Sequence, residues 1–346
     1  MFGIGVVEGF FGPEWSWNSR YRFCESLPAY GGDFYLYAPK RDTFLRKNWK
    51  QTHSDRLWKE MHSLSSICHR SEVAFGVGLS PFEIHAEWNQ QTKTLLRDKV
   101  ESLEELNIRF LGLLFDDMRG VADLADKQVE IVEYVRDITN TTILFCPTYY
   151  SHDPLLDRIF GQRPDGYLER IGNLSKDIQI FWTGRKVLPE SISVEELNEV
   201  ARVLKRRPLV WDNYFANDGP RQCKFLKLKH LDGRTRNAFR HSNGWAFNLM
   251  NQPSLSEIVF ASSVETLTGG VNAEESFHRM VAKLAGDGLE LLLRRDQKAF
   301  LEMGLDKIDE GKKKEIIQAL SSDRFSQELL DWLNGKYVVG EECLTD

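Results

Sequence analysis

Apolar positions along the chain fall into two alternating patterns. Short, near-continuous apolar runs recur at Gly3–Gly9, Asp33–Pro39, Val73–Gly78, Phe110–Phe115, Thr142–Cys146, Ile178–Trp182, Pro208–Trp211 and Gly244–Leu249. Runs of this kind read as parallel strands covered on both faces. Between them lie stretches with apolar residues at helical spacing: Ser19–Ala29, Ser54–His69, Thr92–Leu106, Ala122–Arg136 and Val194–Arg206, with Ser254–Leu267 after the last run. Thr92–Leu106 is the clearest case, with Leu95, Leu96, Val100, Leu103 and Leu106 on one side and charges between them. Eight strands alternating with helices predict an α/β fold, a (β/α)8 TIM barrel. A doubly wound open sheet is the alternative, but Gly9-Phe10-Phe11-Gly12 after the first strand lacks the glycine spacing of a dinucleotide-binding turn.

The strand pattern stops near residue 270. Glu274–Leu284, Gly288–Glu302, Gly311–Ser321 and Arg324–Leu333 then read as four helices, and Val338–Asp346 as a tail. The expected division is a catalytic barrel over residues 1–270 and a C-terminal helical appendage over 271–346. No Pro/Ser-rich linker separates them, so the appendage is expected to pack on or beside the barrel.

Composition narrows the function. A net charge of −6 argues against nucleic acid and against a polybasic membrane-binding surface. No apolar run approaches the roughly 20 residues needed to span a bilayer. The chain opens directly into a strand-like run, so no signal peptide is read in it. Five widely spaced cysteines with no CxxC argue against a disulfide framework or a structural zinc, and a cytoplasmic location is expected. Aromatics at 12%, nine of them Trp, supply flat faces that suit sugars and bases as well as large cores.

In a barrel of this type the chemistry belongs to the C-terminal ends of the strands. There the chain places Glu8-Gly9, Lys40, Asp116-Asp117, Cys146 with Tyr149 and Tyr150, Trp182, Trp211 with Asn213, Asn217-Asp218, and Asn248 with Asn251. Carboxylates, amides, a lysine and aromatics on one rim suit a polyhydroxylated ligand. The Asp116-Asp117 pair is the sharpest feature. Neighbouring residues in a regular strand point to opposite faces, so the strand must end or bulge for both to reach one site. Two close carboxyls raise the cost of ionising one of them, which is what a general acid at neutral pH requires. Equally, one could cap the following helix while the other is solvated. Cys146 reads either as a nucleophile or as a small buried apolar residue, and Trp211 either as packing or as pocket wall. No metal is expected, since no third acidic ligand and no His pair stands at a suitable spacing.

Six segments occur in order at these strand ends: Gly5-Val6-Val7-Glu8-Gly9-Phe10-Phe11-Gly12, Leu36-Tyr37-Ala38-Pro39-Lys40, Leu114-Phe115-Asp116-Asp117, Phe145-Cys146-Pro147-Thr148 with Tyr150, Trp182-Thr183-Gly184, and Trp211-Asp212-Asn213 with Ala216-Asn217-Asp218. Together, over about residues 3 to 270, they resemble glycoside hydrolase family 84, the β-N-acetylglucosaminidases that include protein O-GlcNAcases. The resemblance implies a retaining exo-hydrolase in which the sugar's own 2-acetamido oxygen attacks the anomeric carbon, with no enzyme nucleophile and no cofactor. It implies that Asp116 holds and polarises the acetamido N–H. Asp117 protonates the leaving oxygen and then acts as base on water. Gly9 (through its backbone) and Lys40 would contact sugar hydroxyls, Tyr150 the acetamido group or departing oxygen, Asn213 the acetamido region and O3, and Asp218 O4 and O6. Asn248 would be a further sugar contact, with Asn251 competing for that place. Cys146 and Trp211 would form the floor and wall of the pocket for the acetyl methyl group.

The implied partner is a terminal β-linked N-acetylglucosamine on a protein serine or threonine or on a glycan. Alternatives are a hexosaminidase of glycan fragments, or a catalytically silent sugar-binding protein on the same barrel. The C-terminal helices could serve a homo-oligomer or a partner. Four departures from the family pattern stand out: Phe11 in place of a tyrosine, Pro13-Glu14-Trp15 in place of adjacent Pro-Trp, Ser80-Pro81-Phe82-Glu83 in place of Ser-Pro-Gly, and Leu249 where a proline commonly follows the asparagine. None touches the acid pair, so the aglycone preference is the property most exposed to them.

Overall fold

A computed structural model describes residues 1–116 and 118–340; Asp117 and residues 341–346 lie outside the described residues. Eight parallel strands close into a barrel in sequence order. They are β1 (Ile4–Glu8), β2 (Phe34–Tyr37), β3 (Ala74–Leu79), β4 (Phe110–Leu114), β5 (Thr142–Cys146), β6 (Gln179–Trp182), β7 (Leu209–Asp212) and β8 (Gly244–Asn248). The ring closes between β1 and β8, with Val7 opposite Asn248. Every strand read from the apolar runs is present, within two residues at either end. Phe2, Phe34 and Phe110 plug the N-terminal end of the barrel, with ring centroids 5.1–5.8 Å apart.

The helices are α1 (Trp17–Ser26), α2 (Asp55–Arg70), α3 (Gln90–Glu104), α4 (Leu124–Ile138), α5 (Pro154–Phe160), α6 (Tyr167–Ile171), α7 (Val194–Leu204), α8 (Arg236–His241), α9 (Pro253–Gly269), α10 (Ala273–Lys298), α11 (Glu310–Gln318) and α12 (Arg324–Leu333). The helix read over Ser19–Ala29 starts earlier, capped by the Ser16 hydroxyl accepting from Ser19 N. It gives way to a 3₁₀ turn at Leu27–Tyr30, where Pro28 cannot donate to the helical ladder. Three short helices, α5, α6 and α8, had no counterpart in the periodicity. At 5 to 7 residues they are too brief to carry a helical repeat.

The last barrel helix is unlike the others. In α9 the residues from Pro253 to Val264 are all buried, and Ser262, Ser263 and Thr266 turn their hydroxyls back onto carbonyls of the same helix. A helix buried all round must be covered on its outer side as well. The cover is the C-terminal helical region. α10 and α12 pack on α9, and α12 does so with a regular apolar stripe of Phe325, Leu329, Trp332 and Leu333. α10 contains a break at Gly286 (φ 85°, ψ 164°), which divides it where the sequence shows two helical stretches. Of the stretch read as a tail, Val338 is exposed while Val339 is buried against the barrel rim. Among the described residues no helix is long and apolar enough to cross a membrane.

Candidate active site

The C-terminal ends of β1, β2, β4, β5, β7 and β8 bring most of the sequence-predicted residues together. β4 pairs with β5 as far as Leu114 opposite Cys146. Phe115 N donates to Cys146 O at 2.8 Å. The strand has ended by Asp116, which lies in a turn. That ending releases Asp116 from the strict alternation of a strand. Its carboxylate pairs with the Lys40 ammonium at the end of β2. Its other oxygen, Oδ1, is buried and accepts from no described residue. Such an atom is costly unless something donates to it. Asp117, predicted as the proton donor, lies outside the described residues.

Behind this turn a buried network fixes the backbone. Thr148 Oγ1 donates to Phe115 O at 2.6 Å, and Gln128 Nε2 donates to Thr148 Oγ1 at 2.7 Å. Tyr167 donates its hydroxyl to Gln128 and accepts from Thr148 N at 3.1 Å. Burial holds the Tyr167 phenol well above its ordinary pKa, so it stays a donor. Cys146, buried at the end of β5, lies immediately beside this turn. Tyr150 is buried on the following loop, where its carbonyl accepts from Thr183 N at 3.0 Å. On the same rim His152 is pushed below its ordinary pKa by burial and by Arg163 and Arg185.

A second cluster spans β7, β8 and β1. Alternation along β7 puts Trp211 and Asp212 on opposite faces, and Asn213, just past the strand's end, meets Trp211. Trp211 Nε1 donates to Asn213 Oδ1 at 2.9 Å, and Asn248 Nδ2 donates to the same oxygen at 3.0 Å. Asn213 Nδ2 donates to Val187 O at 2.9 Å. Gly9 N donates to Asn248 Oδ1 at 3.3 Å. A side chain at Gly9 would meet the Trp211 indole at 2.4 Å, so only glycine lets that ring approach the top of β1. Asp218 accepts from Phe11 N at 2.8 Å, tying the β7 loop to the β1 loop. Asn251 does the same from β8, donating through Nδ2 to Phe11 O at 2.8 Å and Pro13 O at 3.2 Å. The Asn251 amide nitrogen is thus committed to the β1 loop, and the Asn248 amide nitrogen to the Trp211–Asn213 cluster.

Some charged strand-end residues serve the scaffold. Asp212 pairs with Arg234 at 2.9 Å and accepts from Trp245 Nε1 at 3.0 Å. Glu8 is fully buried and is bound by the Arg20 fork at 2.6 and 2.9 Å and by the Tyr35 hydroxyl. Burial alone would lower the Arg20 pKa, but the Glu8 charge overrides it and raises it. Asn217 was missed as a connector. Its Nδ2 donates to Gln252 Oε1 at 2.9 Å and to Phe225 O at 3.2 Å, and its Oδ1 accepts from Asn251 N at 3.0 Å. Its sequence signals are its place at the rim beside Asp218 and in the Ala216-Asn217-Asp218 segment, neither of which shows what it joins.

The fold and site together define a class: a parallel α/β barrel with a lysine-held carboxylate, clustered amides and an indole wall at its C-terminal end, suited to a polyhydroxylated ligand. The profile of the β-N-acetylglucosaminidase family matches residues 4–302, and the chain belongs to that family. Protein O-GlcNAcases of Mus musculus and Rattus norvegicus are each 33% identical to it over 239 residues, 65% of this chain. The chain spans about a quarter of the length of these relatives, the matched region being 26% of each. A structure of a variant of Thermobaculum terrenum O-GlcNAc hydrolase shares the fold, with a TM-score of 0.81 over 96% of this chain and 80% of that one, at 23% identity.

Proposed function

We propose that the protein is a retaining exo-β-N-acetylglucosaminidase that uses the substrate's 2-acetamido group as its nucleophile. The observation that carries this reading is Asp116: one oxygen is held by Lys40, and the other is a buried acceptor with no donor among the described residues. An acetamido N–H placed there would satisfy it. The carboxylate would gain most as the acetamido oxygen attacks C1 and positive charge grows on the forming oxazolinium ring. Asp117, next in the chain, protonates the departing oxygen and then takes a proton from the water that opens the ring. Cys146 and Trp211 bound the space for the acetyl methyl, and Tyr150 orients the acetamido group. Asn213, Asn248, Lys40 and the Gly9 backbone contact the ring hydroxyls. Asp218 accepts from the hydroxyls at C4 and C6, which closes the non-reducing end and makes the action exo. The relatives bear the name protein O-GlcNAcase, and the aglycone proposed here is a protein or peptide serine or threonine.

The test compares an aryl 2-acetamido-2-deoxy-β-glucoside with the plain aryl β-glucoside. Only the first carries the internal nucleophile, so only the first should be cleaved. Asp117→Ala should lower kcat by about 10² or more with the fold retained. Equal cleavage of both glycosides would sink the mechanism. Turnover of a glycosylated peptide against a chitobiose-type disaccharide then separates a protein aglycone from a glycan.

A further inference from the structure

The C-terminal helices converge on one stretch of the rim, the segment after Asp218. Trp332 of α12 donates through Nε1 to Cys223 O at 3.0 Å. Leu226 N donates to Phe300 O at 3.0 Å, and Leu305 N donates to Lys224 O at 2.9 Å. The Lys224 ammonium pairs with Asp306 at 2.6 Å. Gly304 lies against the same segment with φ 68°, and a side chain there would come within 2.8 Å of Lys224 O. Val339 N donates to the Cys223 sulfur at 3.5 Å. From this clamped segment Phe225 O accepts from Asn217, the residue before Asp218. The connection therefore runs from the C-terminal helices through residues 223–226 to Asn217 and on to Asp218.

We infer that the C-terminal helical region is a positioning element of the active site, acting through Trp332 and Gly304 to hold Asp218 where it reads the hydroxyl at C4. The inference rests on the role given above to Asp218. Residues 213–235 form a long connection with little regular structure. A loop of that length orders a carboxylate only if something outside it supplies the contacts. Here the barrel holds the two ends of the connection, and the support of its middle, residues 223–226, comes from the C-terminal helices. The helical region thus contributes to sugar discrimination, and the two parts work as one catalytic unit.

The readout is the preference, in kcat/KM, for an aryl 2-acetamido-2-deoxy-β-glucoside over its C4 epimer, the aryl 2-acetamido-2-deoxy-β-galactoside. Asp218→Asn sets the full loss. Gly304→Ala should lower the preference about tenfold through KM, the size of one well-placed hydrogen bond to a charged group, with kcat nearly unchanged. Trp332→Phe, which keeps an aromatic ring in the buried position and removes the donor, should lower it in the same direction by less. Gly304→Ala combined with Asp218→Asn should fall no lower than Asp218→Asn alone. Val281→Ala, in α10 away from this segment, should lower the melting temperature and leave the preference intact. If Gly304→Ala does not fold, Trp332→Phe decides. A preference unchanged in both while Asp218→Asn abolishes it overturns the inference and leaves the site reading standing. A preference unchanged in Asp218→Asn itself overturns the role of Asp218.

Discussion

Glu8 ends an apolar strand at the top of the barrel just as Asp116 follows one, yet the two carboxylates have opposite fates. Glu8 is wholly buried and saturated by Arg20 and Tyr35, whereas one buried oxygen of Asp116 accepts from no described residue. A fully desolvated ion pair contributes little net stability over an apolar pair, but removing one partner leaves an uncompensated buried charge. Arg20→Met should therefore cost about 3–5 kcal/mol in urea unfolding. A loss below about 1 kcal/mol would mean that Glu8 finds another cation or water. The sequence could not separate these carboxylates, because the difference lies in what α1 and β2 bring against Glu8. It did single out Lys40, Asp116, Trp211, Asn213 and Asn248, because a parallel barrel gathers strand ends at one rim.

The loop after β4 illustrates how elements position chemistry. Phe115 O is held by Thr148 on β5's loop. Beyond the acid pair, Gly120 N donates to Phe160 O at 2.6 Å. A side chain at Gly120 would lie 2.3 Å from the Tyr149 hydroxyl and 2.9 Å from Phe160 O. Gly120→Ala must push this loop off the α5 end and carry the acid pair with it. A misplacement of about 1 Å can cost about 10² in rate. The expected result is a fall in kcat of at least about tenfold with a melting temperature within a few degrees of the parent. Unchanged kcat in a folded variant would show that the loop is set from the β4 side alone. Strands were legible here because each apolar run is short and bounded. The contacts between loops were not, since they join residues some 40 positions apart through hydrogen bonds that leave no periodic trace.

At the scale of the whole molecule, the barrel and the C-terminal helices meet at a buried carboxylate. Glu328 of α12 caps the start of α9, accepting from Ser254 N at 2.9 Å and Leu255 N at 3.0 Å. Burial nevertheless raises its pKa from 4.5 to about 7. A carboxyl with a folded-state pKa above its unfolded one binds more protons in the folded state between the two values. Its contribution is therefore full below about pH 4.5, declines as pH rises through 7, and is absent above. Glu328→Gln, which stays neutral, should gain stability relative to the parent as pH rises from 5 to 8, by up to about 3 kcal/mol. Parallel melting curves for the two proteins across that range would refute the assignment. The burial of α9 on every side has one more consequence. Seven strand–helix units of this barrel turn a face to water and could in principle be exchanged, lengthened or duplicated with neighbouring contacts kept. The eighth cannot, because its helix has no wet face to give up. The outer face of the barrel is open around most of its circumference and closed at the seam where β8 returns to β1.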